Sequence, residues 1–473
     1  MDPYLSILKL VDDIHTALKA YHKPGDGVCP FADLQLFEQI LSGEIGHAHQ
    51  ATNQILVDLV EMLKESDQEG AELLSRRFFD EEKMRKIAHS LNMSEATAFR
   101  RQSQMIERAA ILLQARELAA RKQRQAILER RLERPTYTQL IGFEDHLKQL
   151  FDLLTRSGPP WLVAIEGLGG LGKTSLADAV TRQIIGRRLF DDVGWVSVRQ
   201  HIFTLSGHLQ TVETPALTAE GLIDELITQL LPHVPRPETF SGQEALHLLQ
   251  THLDRTRTLV VIDNLETLAD VMELLPALGK LADPARFLLT SRESFYDEAA
   301  IFHFPLRELS QVGTLRLIHH EIDTHNLAHL RQASDEDFNQ LYRVVGGNPL
   351  AIRLVVGQTH VFTLSAILED LAQARSKTVE ELYTFIYWRA WQALDEPTRQ
   401  LFLAMPLTTA EGERLDYLAE MSGLAIGTVY TSLQRLVDLN LVNSNGDHQA
   451  RHYSIHNLTR TFLLEQVLKW QQP

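Results

Sequence analysis

The sequence predicts an α/β domain in which a parallel sheet is covered by helices, with an all-helical region before it and a helical region and a winged helix after it. Four short apolar runs are typical of buried strands: "WLVAI", "DVGWVSV", "TLVVIDN" and "RFLLTSR". Amphipathic stretches such as "AEGLIDELITQLL" lie between them. Strands that alternate with helices favour a parallel sheet, and polar functional groups gather at the carboxyl ends of its strands.

The loop after the first strand, "IEGLGGLGKTSLADAV" (165–180), has the spacing of a phosphate-binding P-loop. Its glycines let backbone N–H groups approach an anion, and the helix that follows presents its positive N-terminus. We expect Lys173 to lie against the terminal phosphates and the Thr174 hydroxyl to bind Mg²⁺. The sequence therefore predicts a site for ADP or ATP with Mg²⁺, contacted by Gly167, Gly169, Gly170, Leu171, Gly172, Lys173, Thr174 and Ser175.

Polar residues end two later strands of the predicted sheet. Asp263 follows four apolar residues, which would bring a carboxylate to the metal opposite Thr174. The alternative is an aspartate that caps a helix. Arg292 ends "RFLLTSR", and its fork of donors could reach a γ-phosphate and so distinguish ATP from ADP. The alternative is a solvated arginine at the start of a loop.

Composition limits the class of protein. At 473 residues the chain is long enough for about three domains, and its hydrophobic and charged fractions of 44% and 23% are ordinary for a globular protein. A single cysteine, Cys29, excludes an internal disulfide and fits a reducing compartment. No apolar stretch is long enough to span a bilayer, and the N-terminus lacks the basic start of a signal peptide. We therefore expect a cytoplasmic protein with no membrane partner.

Five segments are predicted along the chain. Helical periodicity dominates after the sheet, and near the end a helix pair in "LDYLAEMSGLAIGTVYTSLQRLVDLNLV", followed by short strands ending at "HYSI", indicates a winged helix. The predicted segments are an N-terminal helical domain (1–125), a charged linker (126–140), a nucleotide-binding domain (141–295), a helical domain (296–378) and a winged helix (379–473).

Five motifs, taken in order, closely resemble the NB-ARC class of STAND ATPases: "IEGLGGLGKTSLA", "LVVIDNLE", "RFLLTSR", "VGGNPLAIRLV" and "YSIHNLTRTFL". The resemblance runs from about residue 140 to about residue 465. It implies a switch in signal transduction, in which ADP holds a closed monomer and ATP opens the chain, often with assembly into a ring. It also implies that the winged helix clamps the nucleotide. The local charge of this segment is not basic, so we favour the clamp over a DNA reader.

Residue by residue, the resemblance assigns roles at several positions. It makes Gly167 to Thr174 the Walker A loop, Asp263 the Walker B carboxylate and Arg292 the first sensor. It places Pro349, in "GGNPLA", against the adenine.

Two further sites follow from the same resemblance. His456, in "SIHNL", matches the histidine that touches the β-phosphate of ADP. Ile141 and Gly142 match the segment that lines the adenine pocket, although Phe143 stands where the family usually has an arginine.

Hydrolysis is expected to be slow at most. Many members of the class have an acidic residue directly after the Walker B aspartate, but this chain has Asn264, which cannot accept a proton from water. Glu266 is the nearest candidate base. This pattern suits a timer and disfavours a mechanical ATPase.

The N-terminal region contains a basic segment in an acidic chain. The net charge is −16, yet residues 76–134 hold fifteen basic and eight acidic residues. Residues 75–113 resemble the helix-turn-helix of the fourth region of bacterial sigma factors and of related response regulators. Phe99, Ile106 and Leu113 recur every seven residues and are expected to face the core. The exposed side would then carry a set able to contact phosphates and base edges of DNA: Thr97, Arg100, Arg101, Gln104 and Arg108.

Two functions remain open from the sequence. The first is a DNA-binding regulator gated by an ATP/ADP switch. The second is a signalling or defence scaffold whose N-terminal helices recruit a protein partner and whose arginines are simply solvated.

Overall fold

The structure is a computed structural model that describes residues 5–23, 29–41, 47–198, 217–234, 241–265, 268–292, 298, 300–374, 379–409, 412–446 and 450–463. The chain divides into two compact units, Met1–Ile127 and Leu128–Pro473. Over the described residues, no helix is long and apolar enough to cross a membrane.

The first unit is helical throughout its described part. Its core contains Leu10, Ile14, Ile55, Leu59 and Leu63, all nearly inaccessible to solvent. A π-helical turn, Ser75–Phe79, precedes the fifth helix. The helices are α1 (Ile7–Lys19), α2 (Gln35–Leu41), α3 (Ala48–Ser66), α4 (Gln68–Leu74), α5 (Met84–Ser90) and α6 (Glu95–Glu129).

Helices α5 and α6 form the pair that the sequence predicts as a helix-turn-helix. Asn92 in the turn has φ of 52°, a left-handed conformation that asparagine tolerates. The Ser94 hydroxyl accepts a hydrogen bond of 3.1 Å from the Thr97 backbone N–H, which caps the start of α6. Ala88 is buried on α5. These contacts define the short connection between α5 and α6, and its role as a helix-turn-helix remains a prediction.

One core residue of α6 is predicted wrongly. Phe99 is 49% exposed, whereas Ala98 is fully buried. A seven-residue repeat drifts by about 20° per heptad on a straight helix, so Phe99 falls off the buried stripe that ends at Ile106 and Leu113. The small side chain of Ala98 occupies the contact position instead.

Glu117 of α6 connects this helix to the start of α2. Its carboxylate is completely buried and accepts hydrogen bonds from the backbone N–H groups of Gln35 (3.0 Å) and Leu36 (3.1 Å) at the start of α2. Arg121, one turn later on α6, donates to the same carboxylate. The acid thus satisfies helix-start N–H groups that have no partner within α2.

A five-stranded parallel sheet forms the centre of the second unit, in the order β2-β3-β4-β1-β5. The four strands predicted from the apolar runs are present. The fifth strand, which the sequence analysis did not predict, pairs with β1, so the sheet runs past residue 295. The elements up to this strand are α7 (Glu144–Thr155), β1 (Leu162–Glu166), α8 (Lys173–Arg187), β2 (Asp192–Ser197), α9 (Ala219–Leu230), α10 (Gly242–Arg255), β3 (Thr258–Leu265), α11 (Leu268–Leu281), β4 (Arg286–Ser291) and β5 (Ile301–Pro305).

Helices cover both faces of this sheet, as predicted. Val163 and Ile165 of β1 share one apolar cluster with α7 and α8. Leu162 and Ala164 point to the opposite face and share a cluster with α9, α10 and α11. Because these strands are buried on both faces, their sequences are continuous apolar runs and do not alternate between apolar and polar residues.

The rest of the second unit is mostly helical and ends in a helix group with a two-stranded antiparallel hairpin. Gly357 of α14 packs so closely on the end of α19 that a Cβ would lie 2.7 Å from the Leu439 carbonyl carbon. The subdivision of this part into a helical domain and a winged helix remains a prediction. The elements are α12 (Gln311–Thr324), α13 (Asp335–Val345), α14 (Pro349–Gln358), α15 (Leu364–Ala374), α16 (Val379–Gln392), α17 (Glu396–Ala404), α18 (Leu415–Ser422), α19 (Ile426–Asp438), β6 (Asn443–Gly446), β7 (Arg451–Ser454) and α20 (Asn457–Phe462).

Candidate functional site

The P-loop leaves β1 and turns into the N-terminus of α8. Three of its glycines have positive φ: 151° at Gly167, 78° at Gly170 and 93° at Gly172. A Cβ on Gly167 would lie 2.6 Å from the Leu306 carbonyl oxygen. These positions therefore require glycine for conformation or for space.

Lys173 closes the loop on itself. Its Nζ donates hydrogen bonds to the carbonyl oxygens of Gly167 (2.7 Å) and Leu168 (2.9 Å). These two bonds hold the ammonium group beside the loop, near the start of α8. A point charge at this place suits the terminal phosphates of a nucleotide.

Asp263 and Thr174, predicted to share a metal, lie in contact. Thr174 Oγ1 donates to Asp263 Oδ1 at 2.8 Å, and Thr290 Oγ1 donates to the same oxygen at 2.5 Å. A carboxylate and a hydroxyl are hard oxygen ligands of the kind that Mg²⁺ takes. These two side chains therefore fit the predicted ion.

Thr290 is a site residue that sequence reasoning missed. Strand β4 lies between β1, which leads into the P-loop, and β3, which carries Asp263. Thr290 near the end of β4 is paired with Ile165 of β1, so its hydroxyl stands between the two motifs. The available signal was a hydroxyl two residues before Arg292, directly after the apolar residues Phe287, Leu288 and Leu289.

Asn264 helps to set the direction of Asp263. The register between β3 and β4 shifts between Ile262 and Leu265, and Asn264 has φ of 71°. Its backbone N–H donates to Thr290 Oγ1, and its side-chain amide donates to the Val198 carbonyl at 3.0 Å. The asparagine is thus a structural residue of the bulge. Glu266, the predicted base, lies outside the described residues.

A cavity opens over the P-loop and collects most of the predicted phosphate contacts. Gly167 lies outside its lining, and Leu171 is buried in the core. Glu133, Thr136 and Arg460 also line it, although the sequence did not indicate them. The predicted residues in the lining are Gly169, Gly170, Gly172, Lys173, Thr174, Ser175, Asp263, Arg292 and His456.

His456 enters this cavity just after β7, nearly three hundred residues beyond the P-loop. Burial lowers the pKa of its imidazole to about 4, and the positive charges of Arg292, Lys173 and Arg353 add to the effect. The ring is therefore neutral near pH 7. Cations converge on this point from β4, α8 and α14, as expected for a site that receives an anion.

A second, larger cavity continues from the first, and the two share Thr136, Gly170, Gly172, Ser175 and His456. Ile141 and Pro349, both predicted at the adenine, line this cavity. Gly142 is not in the lining but makes the adjoining turn with φ of 79°. Phe143, at the usual arginine position, lines the cavity and packs against Gly172. The residue thus supplies an apolar wall here.

Asn348 fastens the start of α14 to the P-loop. Its side-chain oxygen caps α14 by accepting from the N–H groups of Leu350 and Ala351, and its amide donates to the Gly169 carbonyl at 2.9 Å. This buried residue, next to the predicted Pro349, was also missed by the sequence analysis.

A charged group in the larger cavity was not indicated by the motifs. Glu321 of α12 is 5% exposed, with Arg353 Nε 3.2 Å from Oε1 and His325 Nε2 3.3 Å from Oε2. The available signal was a glutamate four residues after Leu317 on the apolar face of a predicted helix. A charge on that face is costly unless it is paired.

Most of the predicted DNA contacts in the first unit are exposed on α6, namely Thr97, Arg100, Gln104 and Arg108. Arg101 differs from the prediction, because it is half-buried and pairs with Asp67 (2.8 Å) and Glu69 (3.3 Å). Asp67 also lies 3.3 Å from Arg108. Burial raises the pKa of Asp67, but hydrogen bonds from Arg101 and Gly70 outweigh it, and the net pKa is below its usual value.

Comparison with known proteins places the nucleotide site in a family. Residues 143–300 match the NB-ARC domain. The chain is 26% identical over 322 residues to the Regulatory protein AfsR of Streptomyces griseus, covering 66% of this chain and 30% of that protein. It is 25% identical over 239 residues to the Probable disease resistance RPP8-like protein 2 of Arabidopsis thaliana, covering 50% and 25%. The chain thus spans less than a third of the length of these curated relatives.

Among solved structures, the chain is similar to a STAND protein with a tetratricopeptide repeat sensor from Pyrococcus horikoshii, with 16% identity, 71% of this chain covered, 43% of that chain covered and a TM-score of 0.44. The family match and the motifs gathered at the carboxyl edge of the sheet lead to one assignment. Residues 143–300 are identified as an NB-ARC domain, the nucleotide-binding domain of the STAND class of P-loop ATPases.

Proposed function

We propose that the protein is a cytoplasmic switch operated by ADP and ATP, whose N-terminal unit binds duplex DNA. One observation supports the binding of a nucleotide: the P-loop and His456 line the same cavity. These two segments are far apart in the sequence of the second unit. A ligand that contacts both would hold these two segments together. Such a contact is what a nucleotide-dependent switch requires.

The residues at the phosphate end have distinct tasks in this proposal. The N–H groups at the start of α8 bind phosphate oxygens, and Lys173 neutralises their charge. Thr174 and Asp263 hold Mg²⁺, which would supply positive charge between the phosphates. Thr290 keeps Asp263 oriented through its hydrogen bond. Arg292 distinguishes ATP from ADP by reaching the additional phosphate.

His456 acts as the latch of the switch. Its imidazole donates a hydrogen bond to the β-phosphate of ADP, and this bond stabilises the closed monomer. With ATP the chain opens and assembles into a homo-oligomer. A single hydrogen bond to a charged group is worth about 1.5 to 3 kcal/mol, enough to shift a two-state equilibrium by one to two powers of ten.

Turnover of ATP is slow in this proposal. The side chain of Asn264, directly after the Walker B aspartate, is engaged with the Val198 carbonyl and has no basic oxygen of carboxylate type. Without a strong base at that position, hydrolysis would act as a timer that returns the chain to the ADP state.

DNA binding is proposed as the output because α5 and α6 form the expected helix pair and expose Arg100 and Arg108. The similarity to a regulatory protein of Streptomyces griseus is in keeping with this output. Basic side chains on such a helix would neutralise phosphates and approach base edges in the major groove.

The proposal is tested by titrating the full chain against a mixed-sequence DNA duplex across a salt series, with ADP and with ATP and Mg²⁺. We expect measurable binding at low salt that weakens steeply as salt rises and that differs between the two nucleotides. Failure to bind duplex at low salt with either nucleotide would overturn the DNA output.

The scaffold function is the second candidate. It is favoured by the ion pairs that engage Arg101 and Arg108 with Asp67, and by the similarity to Arabidopsis disease resistance proteins. Nucleotide-dependent assembly without any DNA affinity would support it.

A further inference from the structure

His360, just after the end of α14, has a buried ring nitrogen without a hydrogen-bond partner. Its Nε2 forms no hydrogen bond with any described residue. The ring of His329 packs against it edge-on, with 6.5 Å between the ring centroids. A proton on a buried imidazole loses contact with water and here gains no acceptor in return. This packing therefore favours the neutral form of His360.

Four charged or titratable groups act on His360 from the elements packed around it. His325 and His329 follow α12, whereas Arg435 and Asp438 lie in the last turn of α19. Burial lowers the pKa of His360 most, and the two histidines and the arginine lower it further. Asp438, the one acid among the four groups, acts in the opposite direction, but the net pKa is still below its usual value. A charge on this ring is therefore unfavourable in the folded chain.

Helices α14 and α19 belong to opposite ends of the proposed switch. The start of α14 is fixed to the P-loop, because the Asn348 amide donates a hydrogen bond to the Gly169 carbonyl. Helix α19 leads through β6 and β7 directly to His456. The contact between α14 and α19 thus connects the phosphate-binding loop with the segment that carries the latch.

This contact is close-packed beside His360. Gly357, three residues before the histidine, lies so near the Leu439 backbone that no side chain would fit there. The Asn440 side chain donates a hydrogen bond of 2.8 Å to the Arg353 carbonyl of α14. Interfaces packed in this way move between discrete arrangements and deform little. A charge that appears next to the contact therefore favours its separation.

We propose that His360 is a proton switch: in mildly acidic conditions its protonation weakens the contact between α14 and α19 and releases the latch at His456. This inference rests on the proposed ADP-bound closed state. In the closed chain the ring is neutral, whereas an opened chain exposes it to water, where an imidazole takes up a proton below about pH 6.5. Opening therefore takes up one proton, and the open state gains population as the pH falls.

The experiment measures ADP affinity of the full chain at pH 7.5 and at pH 5.5 for wild type and His360→Phe. Phenylalanine keeps an aromatic ring of similar size but cannot take up a proton. One proton taken up on opening changes the equilibrium by at most about tenfold per pH unit. Wild type should therefore lose roughly three- to tenfold more ADP affinity than His360→Phe over this range. Assembly with ATP, measured by light scattering, should increase at pH 5.5 in wild type only.

Two further variants make the comparison specific. His319→Phe is the matched control, because His319 lies on α12 with a 55% exposed side chain and makes only an edge contact with the Phe338 ring. It should keep the pH response of wild type. Asp438→Asn removes the acid that favours a protonated His360, so its loss of ADP affinity should continue to lower pH than in wild type. This variant also covers the case that His360→Phe fails to fold.

Three outcomes would overturn the inference. The first is a wild-type ADP affinity that does not fall between pH 7.5 and pH 5.5. The second is the same loss in wild type and in a folded His360→Phe, and the third is a response of Asp438→Asn identical to that of wild type. Wild type that binds no ADP at pH 7.5 would instead overturn the proposed switch, on which the inference depends, and this separates the two failures.

Discussion

The Thr174 hydroxyl donates a hydrogen bond of 2.8 Å to Asp263 Oδ1 across 89 residues of sequence. The contact joins the helix after the P-loop to the end of β3, and Thr290 of the intervening strand completes it. The oxygen ligands proposed for Mg²⁺ are therefore brought together by α8 and the end of β3.

Replacing Thr290 by valine should weaken this group while leaving the apolar shape of β4 intact. The change removes a donor to the buried Asp263 and an acceptor for the Asn264 N–H, at a cost of about 1 to 3 kcal/mol in the free energy of unfolding. It should also reduce the gain in ATP affinity that Mg²⁺ provides. Denaturant unfolding and nucleotide titrations with and without Mg²⁺ measure both effects. Thr251→Val on α10, whose hydroxyl donates only within its helix, is the control, and equal losses in the two variants would contradict the role of Thr290.

Lys173→Ala should abolish nucleotide binding and leave the fold intact. The lysine is at the start of α8, and its hydrogen bonds are to loop carbonyls that solvent can also satisfy. Purified wild type is expected to carry ADP, detected by chromatography of the denatured protein, whereas the variant should carry none. Lys280→Ala, at the exposed end of α11, serves as the control. Equal ADP content in wild type and Lys173→Ala would show that the loop is misassigned.

His456→Ala should loosen ADP roughly tenfold to a hundredfold, the value of one hydrogen bond to a charged phosphate. It should also increase assembly with ATP, because the closed state loses its latch. Calorimetry and size analysis by light scattering report the two effects. If the histidine only stabilises the fold, the variant would melt at a lower temperature by the same amount with and without ADP, and the assembly would match wild type.

His456 should make the folded chain less stable as the pH falls. Its pKa in the folded chain, about 4, is below the value of about 6.5 expected after unfolding. The contribution is therefore fully present above pH 6.5 and is lost as pH falls towards 4. The difference in melting temperature between nucleotide-stripped wild type and His456→Gln should shrink between pH 7 and pH 4.5. His360 has a pKa shifted in the same direction, so the subtraction of the variant is essential. A difference that stays constant with pH would contradict the assignment.

Arg100→Ala should weaken DNA binding and reduce its salt slope by about one, because each phosphate contact releases about one counterion. The double change Arg100→Ala and Arg101→Ala should weaken binding further but also breaks the ion pair with Asp67. Arg255→Ala, exposed on α10 in the other unit, is the control for net charge. The measurement is the affinity for one duplex at a series of salt concentrations. If Arg100→Ala and wild type have the same salt slope, Arg100 does not contact DNA.

Much of the sheet was predictable from sequence because its central strands are buried on both faces and appear as unbroken apolar runs. β5 escaped prediction because it is a five-residue edge strand in which His303 interrupts the run of apolar residues. Phe99 was misplaced because a heptad repeat and a straight helix differ in period.

The motif residues of the site were predictable because backbone geometry fixes them, as the positive φ of Gly170 and Gly172 illustrates. Thr290 and Glu321 were not, because each acts through a neighbour that is distant in sequence. Strand order brings Thr290 to Asp263, and the packing of α12 against α14 brings Glu321 to Arg353. Neither of these two contacts produces a recognisable pattern in the local sequence.

The buried carboxylate of Glu117 also limits how the first unit can be divided. Any fragment that begins after α2 would lose the two N–H donors at Gln35 and Leu36 and leave this acid in an apolar core with fewer partners. Removing donors from a buried charged group costs more than the loss of an ordinary hydrogen bond. A transplant of the helix pair onto another protein should therefore include α2, which supplies the donors for this acid.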